Sequence, residues 1–159
     1  AKDYFHLGAS GYGYLFAIGS LGGLLGALVA GMRSKEHVKK ATTYAFTGFG
    51  SLLIIFGVAA LFTNYIFLFI LLLILIGFSL TTFYISNNTS IQLLVEDAYR
   101  GRVVSTIFLG LGLTSIGNFF IGTLAELFSA PVAYIIIGGM LLVASLFFMY
   151  LTRESVFHD

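Results

Sequence analysis

The sequence has few charged residues and no cysteine. Only 9% of its 159 residues are Asp, Glu, Lys or Arg, whereas a soluble domain is about a quarter charged. A globule facing water would lack the polar side chains needed to cover its surface. The absence of cysteine excludes disulfides and thiolate metal sites. The formal net charge of +1 is too small to indicate a nucleic-acid partner.

Apolar residues dominate instead. They make up 58% of the chain, and the mean hydropathy is +1.00. A transmembrane helix needs about 20 consecutive apolar residues. Five stretches reach this length, and we predict one span for each: residues 11–32, 41–62, 65–95, 103–128 and 132–151. The runs are too long, and alternate too little, for strands of a membrane barrel. The sequence therefore predicts an all-α, polytopic membrane helical bundle that forms one domain over residues 1–159.

The basic residues predict how the bundle is oriented. With five spans, seven of the eight Lys and Arg residues fall on one side of the membrane, and only Lys2 falls on the other. The seven are Arg33, Lys35, Lys39, Lys40, Arg100, Arg102 and Arg153. Short cytoplasmic loops retain Lys and Arg. We therefore expect a cell-membrane protein, surrounded by lipid, with its N-terminus outside and its C-terminus in the cytoplasm.

The third predicted span changes character along its length. Its 31 residues would reach roughly 46 Å at about 1.5 Å per residue. The first half is purely apolar, whereas the second half, TTFYISNNTSIQ, carries hydroxyls and amides. Polar side chains at membrane depth are costly unless they meet protein or water. We expect this half to face a cavity or a neighbouring helix. Its amides, Asn87, Asn88 and Gln92, are cavity candidates, with a pure packing role as the alternative.

Glycines predict which helices lie inside. The first span has two i,i+4 pairs, Gly19 with Gly23 and Gly22 with Gly26. Small residues one turn apart let helix backbones approach closely in lipid. The fourth span carries further glycines and a fourth cavity candidate, Asn118. We predict that spans one, three and four line the internal face, while spans two and five contact lipid more. Static packing and sliding during function both fit this pattern.

A compact group of charges separates spans three and four. Glu96 and Asp97 are followed by Arg100 and Arg102 around Gly101. The arginines fit plain positive-inside anchors. The alternative is a cytoplasmic gate, in which the two acids pair with these arginines or with basic residues at 33–40. Exposed pairs are worth about 0–1 kcal/mol each, which suits a gate whose two states are nearly balanced.

Glu126 is the one carboxylate predicted inside a span. An intramembrane acid is a proton-coupling candidate, although its place near the outer end also fits a solvated interfacial residue. The three histidines have no metal-ligand spacing. No nucleophile motif or phosphate-binding loop is present. We expect neither an enzyme nor a cofactor.

The run NTSIQLLVEDAYRGRVVS, residues 88–105, resembles the junction of the tenth and eleventh helices in major facilitator superfamily transporters. The similar branch is that of drug, macrolide and siderophore exporters. The matching residues are Asn88, Thr89, Gln92, Asp97, Arg100, Gly101, Arg102 and Val103. Glu96 stands where the family commonly has proline. Residues 8–31 resemble the eighth helix, and residues 116–142 resemble the eleventh and twelfth. Residues 31–40 depart from the family's loop, because they keep its positive charge and lose its second glycine.

The resemblance implies five of twelve helices, hence a partial major facilitator fold. It implies a fragment of the carboxy-terminal half of a secondary active transporter, whose partner is a missing amino-terminal half. The complete protein would be a proton-coupled efflux antiporter for drug-like or other small amphipathic substrates, working by alternating access. The chain alone would transport nothing. The alternative is a small non-transporting membrane protein, an assembly or regulatory partner derived from a transporter half.

Overall fold

The computed structural model describes residues 9–33, 38–63, 65–96 and 99–154. Five helices run through them: α1 (Ala9–Gly31), α2 (Val38–Phe62), α3 (Ile66–Leu94), α4 (Arg100–Leu127) and α5 (Ala130–Glu154). Within these ranges there is no strand. All five helices are long and apolar enough to cross a membrane. The predicted all-α membrane bundle is thus confirmed.

The turn between α4 and α5 consists of only two residues, Phe128 and Ser129. Ser129 has φ 148°, a region that residues with a side chain rarely adopt. Pro131 is the second residue of α5, where the missing N–H breaks no helical hydrogen bond. Helix α5 therefore starts at once after a sharp reversal, and it lies next to α4.

The helices pack in an order that differs from their order in the chain. Helix α3 packs along both α1 and α2, and α2 also packs along α5. Among the described residues, α4 packs mainly against α5. This order corrects the prediction that spans two and five contact lipid while span four lies inside. Helix α2 lies between α3 and α5, whereas α4 stands at the end of the row with most of its described side chains exposed.

Helices α1 and α3 form one close pair. The backbone carbonyls of Ile74 and Phe78 occupy the space where a Cβ at Gly22 or Gly26 would stand. For Gly26, that Cβ would lie 2.5 Å from the Phe78 oxygen. Residue numbers rise together along this contact, so the two helices are parallel. The predicted small-residue packing of the first span is confirmed, because only glycine permits such an approach.

Helices α2 and α5 form a second close pair, which is antiparallel. A Cβ at Gly57 would lie 2.6 Å from the Pro131 oxygen, and one at Gly138 would lie 2.7 Å from the Gly50 oxygen. Gly50 and Gly57 are two helical turns apart and therefore lie on nearly the same face. This smooth face is the physical reason that α2 and α5 approach each other rather than lipid.

An apolar cluster joins the two pairs at one end of the bundle. Ala59 of α2 packs with Phe69 and Leu72 of α3, and all three are buried. The ring of Phe56 meets Phe69 edge-on, with centroids 5.2 Å apart. Helices α2 and α3 are thus antiparallel, and α1, α3 and α5 all end on the opposite side of the bundle. We call this opposite side the basic side, because six of the seven basic residues named above lie at its helix ends, while Lys35 lies outside the described residues.

Candidate functional site

One stripe of the polar half of α3 is used for packing. Ser79, Thr82 and Ser86 are buried there, with 9% or less of each residue exposed. The Thr82 hydroxyl donates to the Gly26 carbonyl of α1, with 3.3 Å between the oxygens. These hydroxyls are therefore hydrogen-bonded or enclosed between helices. Helix packing thus accounts for some of the polar residues in this span.

A cavity of about 270 Å³ lies beside this stripe, between α2, α3 and α5. Helix α2 supplies Thr42, Thr43 and Phe46, helix α3 supplies Phe83 and Asn87, and helix α5 supplies Ala144, Ser145 and Phe148. An apolar cavity of about 150 Å³ takes benzene. The space is therefore large enough for more than a single aromatic ring.

Two contacts between helices hold the cavity walls in place. The rings of Phe46 and Phe83 stack with centroids 4.8 Å apart and planes 28° apart. On the α5 side, the hydroxyl oxygens of Thr47 and Ser145 are 2.6 Å apart. Ser145 is 1% exposed, so this polar contact is shielded from lipid and strengthened by the low dielectric around it. An aromatic contact thus lies in the cavity wall, and a hydroxyl pair joins Ser145 of that wall to Thr47 of α2.

Asn87 is the one cavity candidate from the sequence that lines this cavity. It follows the buried Ser86 and lies one turn after Phe83 on α3. Its side chain makes no hydrogen bond with any residue that the structure describes. An amide carries both donors and an acceptor. Asn87 can therefore offer hydrogen bonds to a molecule inside the cavity.

Asn88 and Gln92 lie on another part of α3, outside the residues that line the cavity. They are one turn apart and share a face, as their spacing predicts. The Asn88 side-chain nitrogen donates to the Tyr84 carbonyl of its own helix at 2.7 Å, and Gln92 is exposed. The structure thus separates these two amides from Asn87, and their role stays a prediction.

Asn118 lies on the exposed helix α4. The neighbouring glycines, Gly110, Gly112, Gly117 and Gly122, have no atom of a described residue within 4 Å of where a Cβ would stand. The predicted close packing through α4 is therefore absent from the described part of this chain. Asn118 and the smooth glycine surface both face open space.

The charged group between α3 and α4 is only partly described. Glu96 and Arg102 are exposed, and no ion pair joins either of them to another described residue. The Glu96 carbonyl accepts from the Tyr99 N–H at 2.9 Å, which turns the chain into α4. Asp97 and residues 34–37 lie outside the described residues, as does the side chain of Arg100. The gate therefore remains a prediction.

Glu126 lies one residue before the end of α4 and is exposed. This position is close to the outer end of the span, as expected from the sequence. Within the described ranges, no residue of another helix pairs with the Glu126 carboxylate. No group of three or more potential metal-ligating side chains occurs among the described residues. The proton-coupling role of Glu126 stays a prediction.

A sequence model of the Major Facilitator Superfamily matches residues 1–158, nearly the whole chain. The chain belongs to the major facilitator superfamily. No individual curated protein and no solved structure matches it. Membership places the five spans in a multi-pass membrane protein of a transporter superfamily. The coarser part of the resemblance, which is the superfamily and its partial fold, is confirmed.

Sequence reasoning missed the α2 and α5 walls of the cavity in this superfamily member. A signal was present, because Thr42, Thr43 and Thr47 place three hydroxyls near the start of α2, and Ser145 places one in α5. Such hydroxyls often bond to their own helix, as Thr42 does to the Val38 carbonyl at 3.0 Å. The sequence could not reveal which of them meet across helices.

Proposed function

We propose that this chain is the carboxy-terminal part of a proton-coupled efflux antiporter for drug-like or other small amphipathic molecules. Its five helices would correspond to helices eight to twelve of a complete transporter. That transporter would belong to the branch of drug, macrolide and siderophore exporters. The observation that carries the proposal is the run at 88–105, found in a chain that matches the superfamily over residues 1–158. Membership alone supports transport, and the run supports the branch.

Asn88, Gln92 and Asn118 would belong to the substrate pathway. An amide at membrane depth is costly when it faces lipid, yet Asn118 is exposed in this chain. Gln92 is also exposed, and it lies two residues before the end of α3. A missing amino-terminal half, packed across these surfaces, would convert them into a polar cavity wall. Substrate sites of such transporters lie near the midplane between repeats, which rock against each other. Asn88 and Gln92, six and two residues before the end of α3, would line the cytoplasmic entrance to such a site.

The charges at the basic side would act as the cytoplasmic gate. Glu96 and Arg102 are exposed, where an ion pair is worth at most about 1 kcal/mol. Weak pairs between Glu96 or Asp97 and Arg100 or Arg102 would form in one state and open in the other. Glu126 would exchange the coupling proton from the outer side, where water reaches it.

The orientation would follow the basic residues in the cell membrane. We propose that the basic side faces the cytoplasm, so that the N-terminus of the chain is outside and its C-terminus inside. By position in the sequence, only one basic residue, Lys2, falls on the other side, which supports this arrangement.

The test is efflux by the protein expressed from its complete reading frame. Asn88→Ala and Gln92→Ala variants, matched for membrane abundance, should change the relative efflux of several unrelated substrates. Ser105→Ala is a suitable control, because the Ser105 hydroxyl donates only to the Gly101 carbonyl of its own helix and is exposed. Unchanged substrate profiles for both amide variants would remove these residues from the pathway.

The extent of the reading frame tests the larger claim. About seven further spans upstream are expected for a transporter. A start codon directly before Ala1, together with no transport by the purified protein, would favour a small assembly or regulatory partner instead.

A further inference from the structure

We propose that the cavity between α2, α3 and α5 is a lipid-binding site, and that it holds the ester-bearing start of one acyl chain of a bilayer lipid. It is distinct from the Asn88, Gln92 and Asn118 surfaces proposed for the substrate. All eight residues that line it belong to this chain, so the site does not depend on the direction of transport.

The depth of the cavity fits the ester level of the leaflet on the basic side. Helix α3 has 29 residues and is about 43 Å long, close to the 40–45 Å of a whole bilayer. Asn87 lies seven residues before the last residue of this helix, Leu94, and hence about 10 Å from its end. Thr42 lies four residues after the first residue of α2, hence about 6 Å from that end. Headgroups and hydrocarbon meet at this level, since the core alone is about 30 Å thick.

The chemistry of the wall selects a neutral group. The eight lining residues are Thr, Ser, Asn, Ala and Phe, and none is charged. A charged headgroup would enter without a counter-ion, which is costly at this depth. An ester carbonyl accepts hydrogen bonds, and the Asn87 amide can donate one. The rings of Phe46, Phe83 and Phe148 supply apolar contact for the first methylenes of the chain.

The cavity opens on the α5 side of the bundle. Ala144 and Phe148 line it and are also exposed, Phe148 to 60%. A molecule already dissolved in the bilayer can therefore enter between α5 and its neighbours. The volume of about 270 Å³ is just below the roughly 300–1,000 Å³ typical for drug-sized ligands. It suits one segment of a lipid, while the headgroup and second chain stay in the bilayer.

The test uses the protein expressed from its complete reading frame and reconstituted in phosphatidylcholine liposomes. These contain a phosphatidylcholine probe whose photoactivatable diazirine lies near the carbonyl of one acyl chain. After illumination, mass spectrometry of peptides should find the probe on residues 83–87 and 144–148. Ala144→Phe fills the cavity and should abolish this labelling. Val143→Phe is the matched control, because Val143 is next in the chain, outside the cavity and 68% exposed.

A second variant tests the hydrogen bond without filling the space. Asn87→Leu keeps a side chain of similar size, and it should lower labelling at sub-saturating probe about 3- to 30-fold, the effect of losing one hydrogen bond at membrane depth. If Ala144→Phe does not reach the membrane, this variant carries the test. Equal labelling of the unmodified protein and Asn87→Leu would overturn the role given to Asn87.

A separate arm identifies the source of the ligand. A diazirine-bearing fatty alcohol offers a neutral hydroxyl, which also accepts a hydrogen bond, without a lipid headgroup. Labelling of the cavity by the alcohol but never by the phosphatidylcholine probe would overturn the assignment to a bilayer lipid. Labelling by neither probe, or equal labelling after Ala144→Phe, would overturn the site. None of these results depends on transport, so a failure here is separate from a failure of the proposed antiport.

Discussion

Ser145 of α5 donates its hydroxyl proton to Thr47 of α2, across an oxygen–oxygen distance of 2.6 Å. The direction follows from a second bond, because the Thr47 hydroxyl donates to the Thr43 carbonyl of its own helix at 2.9 Å. A hydroxyl has one proton to donate and two lone pairs to accept. Ser145 is therefore the donor between the helices, and the pair fixes the register of α2 against α5 on the basic side.

Loss of this bond should lower the free energy of unfolding. We expect Ser145→Ala to cost about 0.6–2 kcal/mol, the range for a hydrogen bond between membrane helices. A double-mutant cycle with Thr47→Ala, measured by unfolding in mixed detergent, should give a coupling energy of similar size. Ser20→Ala is the control, since that exposed hydroxyl donates only to the Phe16 carbonyl within α1. A coupling energy of zero would mean that the two hydroxyls do not meet.

The glycines of α1 should differ sharply in their tolerance of a methyl group. At Gly22, a Cβ would overlap the backbone carbonyl of Ile74, and backbone moves only with its helix. We expect Gly22→Ala to destabilise the protein by about 1–3 kcal/mol through overpacking. Gly13→Ala, in the same helix with no described atom within 4 Å, should be neutral or stabilising by up to about 1 kcal/mol. Thermal denaturation of both variants distinguishes them, and equal melting temperatures would contradict the α1–α3 contact.

Bulky residues on the open face of α4 test whether this chain is part of a longer protein. Gly117 has no described neighbour within 4 Å, so Gly117→Leu should leave the 159-residue chain as stable as before. If the complete reading frame encodes further helices that pack on this face, the same change should lower the melting temperature of the protein expressed from it. A Gly117→Ala variant, which adds a smaller side chain, should lower the melting temperature less than Gly117→Leu does. Identical behaviour of both proteins would argue against a partner on this face.

Cysteine labelling tests the orientation directly. The chain has no cysteine of its own, so single substitutions report without interference in a cysteine-free background. Met32 and Tyr65 are 87% and 76% exposed at opposite ends of the bundle. In intact cells, Tyr65→Cys should react with a membrane-impermeant thiol reagent, whereas Met32→Cys should react only after the membrane is permeabilised. The reverse pattern would place the basic side outside.

The existence of the five helices follows from the sequence because runs of apolar residues leave the backbone no alternative in lipid. Their neighbours were harder to predict. None of the five helices has a pronounced amphipathic stripe that would indicate which face is covered. The i,i+4 glycines of α1 predicted its close contact with another helix. Gly50 and Gly57 of α2 form a similar smooth surface, but their i,i+7 spacing is a less obvious pattern in the sequence.

The candidate site was predicted in part. Polar residues in the second half of α3 indicated a cavity, and Asn87 lines one. The hydroxyls of Ser79, Thr82 and Ser86 lie in the same run, yet they are buried in helix contacts. Sequence spacing separates faces of one helix but does not say what covers each face. Residues 43 and 145 come together only through the non-sequential packing of α2 and α5, which no local pattern encodes.

That non-sequential packing has a consequence for biosynthesis. Thr82 reaches back to Gly26, 56 positions earlier, and Ser145 reaches Thr47, 98 positions earlier. At about 5–20 residues per second, the ribosome needs roughly 3–11 s to supply α1 with its contact on α3, and roughly 5–20 s to supply α2 with its contact on α5. During these intervals, α1 and α2 lie in the bilayer with their smooth glycine faces uncovered. A membrane chaperone, or lipid that fills those faces temporarily, therefore has a defined period in which to act.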